Sequence, residues 1–150
     1  MRKTLFSLIL TAVFATAASA QSRIEELTMH SNILNADKSY SVYLPDGYDT
    51  ATERFPVLYL LHGAFGQDTS WHKMGKLQAQ ADEAIKEGRV RPMIVVMPDA
   101  RGKAENLAGE NMGYFNVEGW NYEDFFFEEF IPHIDATLKT LSDKENRAIA

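Results

Sequence analysis

Phe55-Pro56-Val57-Leu58-Tyr59-Leu60-Leu61-His62-Gly63-Ala64-Phe65-Gly66 decides the fold of this 150-residue chain. An apolar run with no polar alternation predicts a strand over Val57–Leu61 buried on both faces, which is the signature of a parallel sheet covered by helices. The run passes directly into a His-Gly step and a small, glycine-punctuated loop. A backbone that turns sharply at the carboxyl end of such a strand leaves N–H groups free to face a ligand.

Working outward, the neighbouring segments support an α/β architecture. Met93-Ile94-Val95-Val96-Met97 is a second uninterrupted apolar strand, ended by Pro98. Between the two strands, Lys76–Glu87 reads as a helix. Leu77, Ala81, Ala84 and Ile85 share one face, and Gly88 closes it. Strand, helix, strand of this kind is a right-handed crossover unit. Upstream, Ile24–Ser31 reads as an edge strand. Ser39–Leu44 alternates Tyr40, Val42 and Leu44 with Ser39, Ser41 and Tyr43, as a half-exposed strand does. The turn-like Asn35-Ala36-Asp37-Lys38 joins them as a hairpin, and Pro45-Asp46-Gly47-Tyr48 ends it. Gly66–Gly75 reads as a loop carrying Asp68, Ser70, Trp71 and His72, and Asp99–Gly119 as a long loop. Asn121–Leu141 is the strongest helical pattern, with Asn121 and Asp124 at its cap and Pro132 kinking it. Arg147-Ala148-Ile149-Ala150 opens another strand.

Composition narrows the classes of function. Residues 1–20 have the form of a secretory signal peptide: Arg2 and Lys3, an apolar core over Leu5–Phe14, and a small-x-small site at Ala18-Ser19-Ala20. Without them the basic residues fall from 15 to 13 against 21 acidic ones, for a net charge of −8. Such acidity disfavours nucleic acid and anionic membrane surfaces as partners. There is no cysteine, which excludes a thiol nucleophile and thiolate metal sites. No second apolar stretch is long enough for a membrane anchor. Histidines and carboxylates show no metal-ligand spacing, so neither metal nor cofactor is expected. No Gly-x-Ser-x-Gly occurs anywhere, and Ser70 lacks the flanking residues of a nucleophile elbow.

Several pieces recur in the same order in a known family: Tyr40–Pro45, Leu60-Leu61-His62-Gly63, Trp71, Met97-Pro98-Asp99, and Tyr122-Glu123-Asp124-Phe125 leading to Ile131-Pro132-His133-Ile134-Asp135. From Ser39 to Ala150 the chain resembles the esterase D-like family of α/β hydrolases, which includes feruloyl and acetylxylan esterases and S-formylglutathione hydrolase. The resemblance implies an α/β-hydrolase fold of which only the N-terminal portion is present: an antiparallel hairpin, then the first parallel strands with flanking helices. With residues 1–20 read as a leader, 21–150 is expected to be a partial esterase domain, exported to a bacterial periplasm or medium. In the family the strand at Arg147 leads to the nucleophile elbow, with acid and histidine later still, so the triad is expected to lie outside this sequence. The family's first oxyanion donor falls on the backbone N–H of Ala64.

The expected substrate is a small or carbohydrate ester, with Gly63, Phe65, Trp71, Asp99 and Tyr114 as candidate contacts. Each also has a plainer reading: Trp71 as a packing anchor, Asp99 as the cap of the following turn, Tyr114 as core. His62 is read as structural, because a catalytic base belongs after the nucleophile in chain order. His133 is read as a surface or capping residue, and His30 and His72 as isolated. Acyl transfer to a sugar hydroxyl, or carbohydrate or lipid binding on a degenerate scaffold, stand as alternatives; oligomeric state is left open. Lacking a triad, the chain itself is expected to be inactive. With an unpaired edge at Arg147–Ala150 it is expected to fold poorly.

Overall fold

A computed structural model describes residues 21–102 and 113–150. The leader expected over 1–20 and the middle of the long loop, 103–112, lie outside the described residues. Strands β1 (Arg23–Ser31), β2 (Ala36–Leu44), β3 (Val57–Tyr59), β4 (Ile94–Pro98) and β7 (Arg147–Ile149) form one sheet in the order β1-β2-β4-β3-β7. β1 and β2 are antiparallel, as are β2 and β4, whereas β3 runs parallel to both β4 and β7. The hairpin, the parallel pair and the strand at Arg147 agree with expectation.

Alternating side chains divide the core between the two faces. On one face Tyr40, Val42, Val57, Tyr59, Ile94 and Val96 pack under the helical segment that follows Asn121. On the other, Tyr43, Val95, Met97, Leu58 and Leu60 meet Leu77, Ala81 and Ile85 of helix α2 (Leu77–Lys86). β2 therefore departs from the half-exposed reading: Ser41 and Tyr43 are as buried as Val42. β2 lies inside the sheet, and its polar side chains are satisfied beneath the helices. Tyr43 donates to Asp82 at 2.7 Å and Ser41 to Asp68 at 2.8 Å.

Local differences have local causes. The hairpin turn is Asn32–Asn35, not 35–38; Asn35 takes the left-handed conformation (φ 46°), which asparagine tolerates well. Pro98 closes β4 from within, paired with Tyr40. The loop read over Gly66–Gly75 contains a single helical turn, α1 (Ser70–Lys73). The loop read over Asp99–Gly119 ends in a small hairpin, β5 (Asn116–Val117) with β6 (Trp120–Asn121). The last long helix is composite: α3 (Tyr122–Asp124), a π-helical stretch (Phe125–Phe130) and α4 (Ile131–Thr137). The wide π turn lies just before Pro132, which has no N–H for the ordinary i→i−4 ladder. The helix stops at Leu138, before the expected Leu141, because the following backbone pairs with Phe55 instead: Phe55 N–H donates to Lys139 at 2.8 Å and Leu141 N–H to Phe55 at 2.7 Å. Asn121 does not cap; Asn116 does, accepting the Asp124 N–H at 3.2 Å.

Gly75 packs against α1, and a Cβ there would lie 2.5 Å from the Trp71 carbonyl oxygen, a backbone atom with no room to yield. Gly75→Ala is expected to destabilise the protein by about 1–3 kcal/mol through overpacking. Urea unfolding should show a lowered midpoint, with Trp71 fluorescence reporting displacement of α1.

Candidate active site

The carboxyl end of β3 continues its pairing briefly, with Leu60 N–H donating to Val96 and Leu61 N–H to Ala150. The chain then turns. Gly66 N–H donates to the Gly63 carbonyl at 3.0 Å, and Phe65 has φ +63° whereas Ala64 does not lie in the positive-φ region. That is the pattern of a type II turn, with phenylalanine where glycine is usual. A bulky residue in the left-handed region carries backbone strain, which concentrates at functional sites. The Phe65 ring is 94% exposed. Gly66 suits this close approach, since a Cβ there would sit a tight 3.0 Å from both the Gly63 oxygen and the His62 Cβ.

This turn forms one wall of an open cleft of about 440 Å³, with Trp71 and Met74 opposite. Trp71 serves both of its readings at once. Its indole N–H donates to the Leu61 carbonyl at 3.0 Å, anchoring α1 over the strand end, while 40% of the residue stays exposed along the cleft. The Ala64 N–H has no hydrogen-bond partner among the described residues, and Ala64 lines the cleft beside Gly63. Ser70 also faces it, with its hydroxyl accepting the Gln67 N–H at 2.9 Å.

Behind the turn lies a buried polar layer. His62 is 6% exposed. Its Nδ1 is 2.9 Å from the Gly63 carbonyl oxygen and its Nε2 3.0 Å from the Ala100 backbone nitrogen. Asp99, read from sequence as a substrate contact, is 3% exposed and is gripped by Arg101: the Arg101 N–H and guanidinium reach both carboxylate oxygens at 2.6–3.0 Å. Asp99 therefore sits behind the cleft and not in it. Burial by itself raises its carboxyl pKa, but charge-assisted hydrogen bonding outweighs this and holds it well below the usual carboxylate range. Arg101 is the donor responsible, because His62 Nε2 stands 3.6 Å from Asp99 and is engaged with Ala100.

Lys38 closes the layer from β2. It donates to the Arg101 carbonyl at 2.5 Å and lies over the Trp120 and Tyr122 rings; burial pushes its ammonium down to about 8, only partly offset by Asp99. Tyr122 donates to the Asp99 carbonyl at 3.0 Å.

Tyr114 brackets His62 from the other side. Its hydroxyl accepts the His62 N–H at 2.7 Å and donates to the His62 carbonyl at 3.2 Å. It also borders a second, apolar hollow of about 200 Å³ between Leu61, Phe126, Phe127 and Ile149. Gly63, Ala64, Phe65 and Trp71 line one cleft, together with Met74, which the sequence reading did not single out; nor did it single out this second hollow or the Lys38–Asp99–Arg101 layer. The run Phe125-Phe126-Phe127 was the available signal for the hollow, since three successive phenylalanines cannot all share one buried helix face; Phe127 is the one left exposed. His72, read as isolated, lies 3.3 Å from the Ser41 hydroxyl that binds Asp68. His133 contacts the Tyr40 hydroxyl at 3.0 Å.

Because the folded Asp99 carboxyl titrates below its unfolded value of about 4, its contribution to stability is complete above about pH 4 and is lost as pH falls through the folded value. Arg101→Gln leaves the buried carboxylate without its counter-charge, at a cost on the order of 3 kcal/mol at pH 7. In urea titrations that deficit should shrink towards pH 4, where the stranded carboxyl takes up a proton; a pH-independent deficit would contradict the assignment.

Comparison with known proteins agrees with this geometry. The Esterase family, described as "Putative esterase", matches residues 31–150. An endo-1,4-beta-xylanase/feruloyl esterase of Xylanibacter ruminicola is 37% identical over 131 residues, covering 85% of this chain and 18% of that protein. A solved ferulic acid esterase superposes with a TM-score of 0.79 at 35% identity, covering 86% of this chain and 48% of its own. A ferulic acid esterase of Anaeromyces mucronatus, solved in complex with ferulic acid, gives a TM-score of 0.68 at 25% identity, covering 89% and 49%. The chain thus spans about half the length of these solved structures and a smaller share of the curated relative. Sheet order, helices on both faces, a turn at the end of β3 and the match over most of the chain converge: the chain belongs to the Esterase family and has the α/β-hydrolase fold.

Proposed function

We propose that this chain supplies the oxyanion half of an exported serine carboxylic-ester hydrolase acting on aromatic acyl esters of carbohydrate. The observation that carries the reading is the Ala64 N–H, which has no partner among the described residues and is held in a strained turn on the wall of an open cleft. As an ester carbonyl becomes tetrahedral its oxygen turns negative, and a fixed backbone donor there stabilises the transition state more than the ground state. The attacking group is a serine hydroxyl. It bonds to the carbonyl carbon and passes its proton to a histidine, which returns it to the departing alcohol; water then releases the acid from the acyl-enzyme.

The 150 residues hold no Gly-x-Ser-x-Gly and cover 48% of the solved ferulic acid esterase, so in this reading the serine, its histidine and its acid belong to the part of the fold that these residues do not cover. Gly63, Phe65 and Trp71 border the acyl or alcohol group, and Tyr114 shapes the hollow beside it. The aromatic acyl class is supported by apolar surfaces on both sides of the strand end and by the feruloyl esterases among the relatives. Export is supported by the Arg2-Lys3 and Ala18-Ser19-Ala20 pattern. Among the described residues no helix is long and apolar enough to cross a membrane.

Ala64→Pro tests the donor. Proline suits the second position of a type II turn, and the Ala64 N–H has no partner among the described residues, so the variant should stay folded. In the protein carrying the nucleophile, kcat on methyl ferulate is expected to fall about 10²–10³-fold. Unchanged turnover in a folded variant removes the proposal.

A further inference from the structure

We propose that His62 is a positioning residue that aims the Ala64 N–H through the opposite end of the same peptide group, in its neutral Nδ1–H form. The inference rests on the oxyanion reading of Ala64 and extends it to a residue that does not itself meet substrate.

The protonation state follows from the partners. The Gly63 carbonyl can only accept, so the Nδ1 at 2.9 Å from it carries the proton. The Ala100 N–H can only donate, so Nε2 at 3.0 Å presents its lone pair. Neither contact is compatible with the other tautomer, and an imidazolium would lose the Ala100 bond. The residue is held from three directions: Ala100 on Nε2, Gly63 on Nδ1, and Tyr114 on the backbone N–H and carbonyl. In turn Asp99 and Arg101 hold the segment carrying Ala100.

The consequence lies in the Gly63–Ala64 peptide. The Gly63–Ala64 peptide is trans, so the Gly63 carbonyl and the Ala64 N–H point in opposite directions across one rigid plane. The carbonyl takes two hydrogen bonds, from His62 Nδ1 at 2.9 Å and from the Gly66 N–H at 3.0 Å. Fixing the oxygen on the protein side fixes the N–H on the cleft side. The two bonds also polarise the amide, which makes the N–H a stronger donor. A turn with only the Gly66 bond is free to tilt, and a donor displaced from the developing oxyanion loses much of its effect.

Two substitutions separate the ring nitrogens. The amide of His62→Asn places a donor near the position of Nδ1, whereas His62→Gln reaches the position of Nε2 and abandons Gly63. In the nucleophile-bearing protein assayed on methyl ferulate, His62→Gln is expected to lose roughly ten- to a hundredfold in kcat with little change in KM, and His62→Asn to recover most of it. Nitrogen-15 NMR of the histidine-labelled enzyme should show the His62 ring neutral with the proton on Nδ1. A purely structural His62 lowers the urea midpoint of both variants and leaves kcat of the folded protein alone; that result, or a proton on Nε2, overturns the proposal. The failures are distinguishable. If Ala64→Pro keeps full kcat, the oxyanion reading falls and takes this inference with it. If Ala64→Pro is crippled while folded His62→Gln is fully active, only the inference about His62 falls.

Discussion

The Gly63 carbonyl is the constraint around which the cleft is organised. It closes the turn by accepting the Gly66 N–H, and it accepts the His62 ring from behind. Both bonds lie on the carbonyl edge of the Gly63–Ala64 peptide, and the opposite edge carries the N–H proposed as the oxyanion donor. Gly66 keeps this packing close, since a Cβ there would press tightly on the carbonyl and on His62. The turn depends as well on Phe65 tolerating a left-handed backbone with its ring in solvent. Strain at one residue is maintained because several hydrogen bonds over-determine the loop.

Those bonds reach far along the sequence. Tyr114 lies 52 residues from His62 and Ala100 lies 38 away, yet both hold the same residue. The sheet makes this possible. β3 and β4 are parallel neighbours, so their carboxyl ends emerge side by side, and the turns after Leu61 and after Pro98 meet. Open α/β sheets gather ligand contacts at this edge for that reason. The buried Asp99–Arg101 fork beneath it is charge-assisted and nearly dry, which makes the Ala100 segment a firm support.

Much of the fold was legible in the residues. Unbroken apolar runs at Val57–Leu61 and Met93–Met97 can be covered only by helices on both faces, and the spacing of Leu77, Ala81 and Ile85 supplied one of them. Boundaries were less legible because they depend on partners. Leu138 and Leu141 continue a helical pattern, but the backbone there leaves the helix to pair with Phe55. Ser41 and Tyr43 look solvent-facing because they are polar, yet Asp68 and Asp82 meet them under the helices. The π stretch follows from a single proline acting on the turn before it, an effect no apolar periodicity records.

By itself the sequence determined the class of sheet, the place where the chain turns at His62-Gly63, and the absence of any thiol or Gly-x-Ser-x-Gly chemistry within 150 residues. These are local matters of pattern, composition and turn chemistry. Only the tertiary structure decided that Asp99 lies behind the cleft and not within it, that Trp71 both anchors and lines, and that the His62 ring sits between the Gly63 carbonyl and the Ala100 N–H. A side chain's exposure and a ring's tautomer are set by the groups that face it. Those groups come from strands and loops distant in sequence, brought together only when the sheet forms.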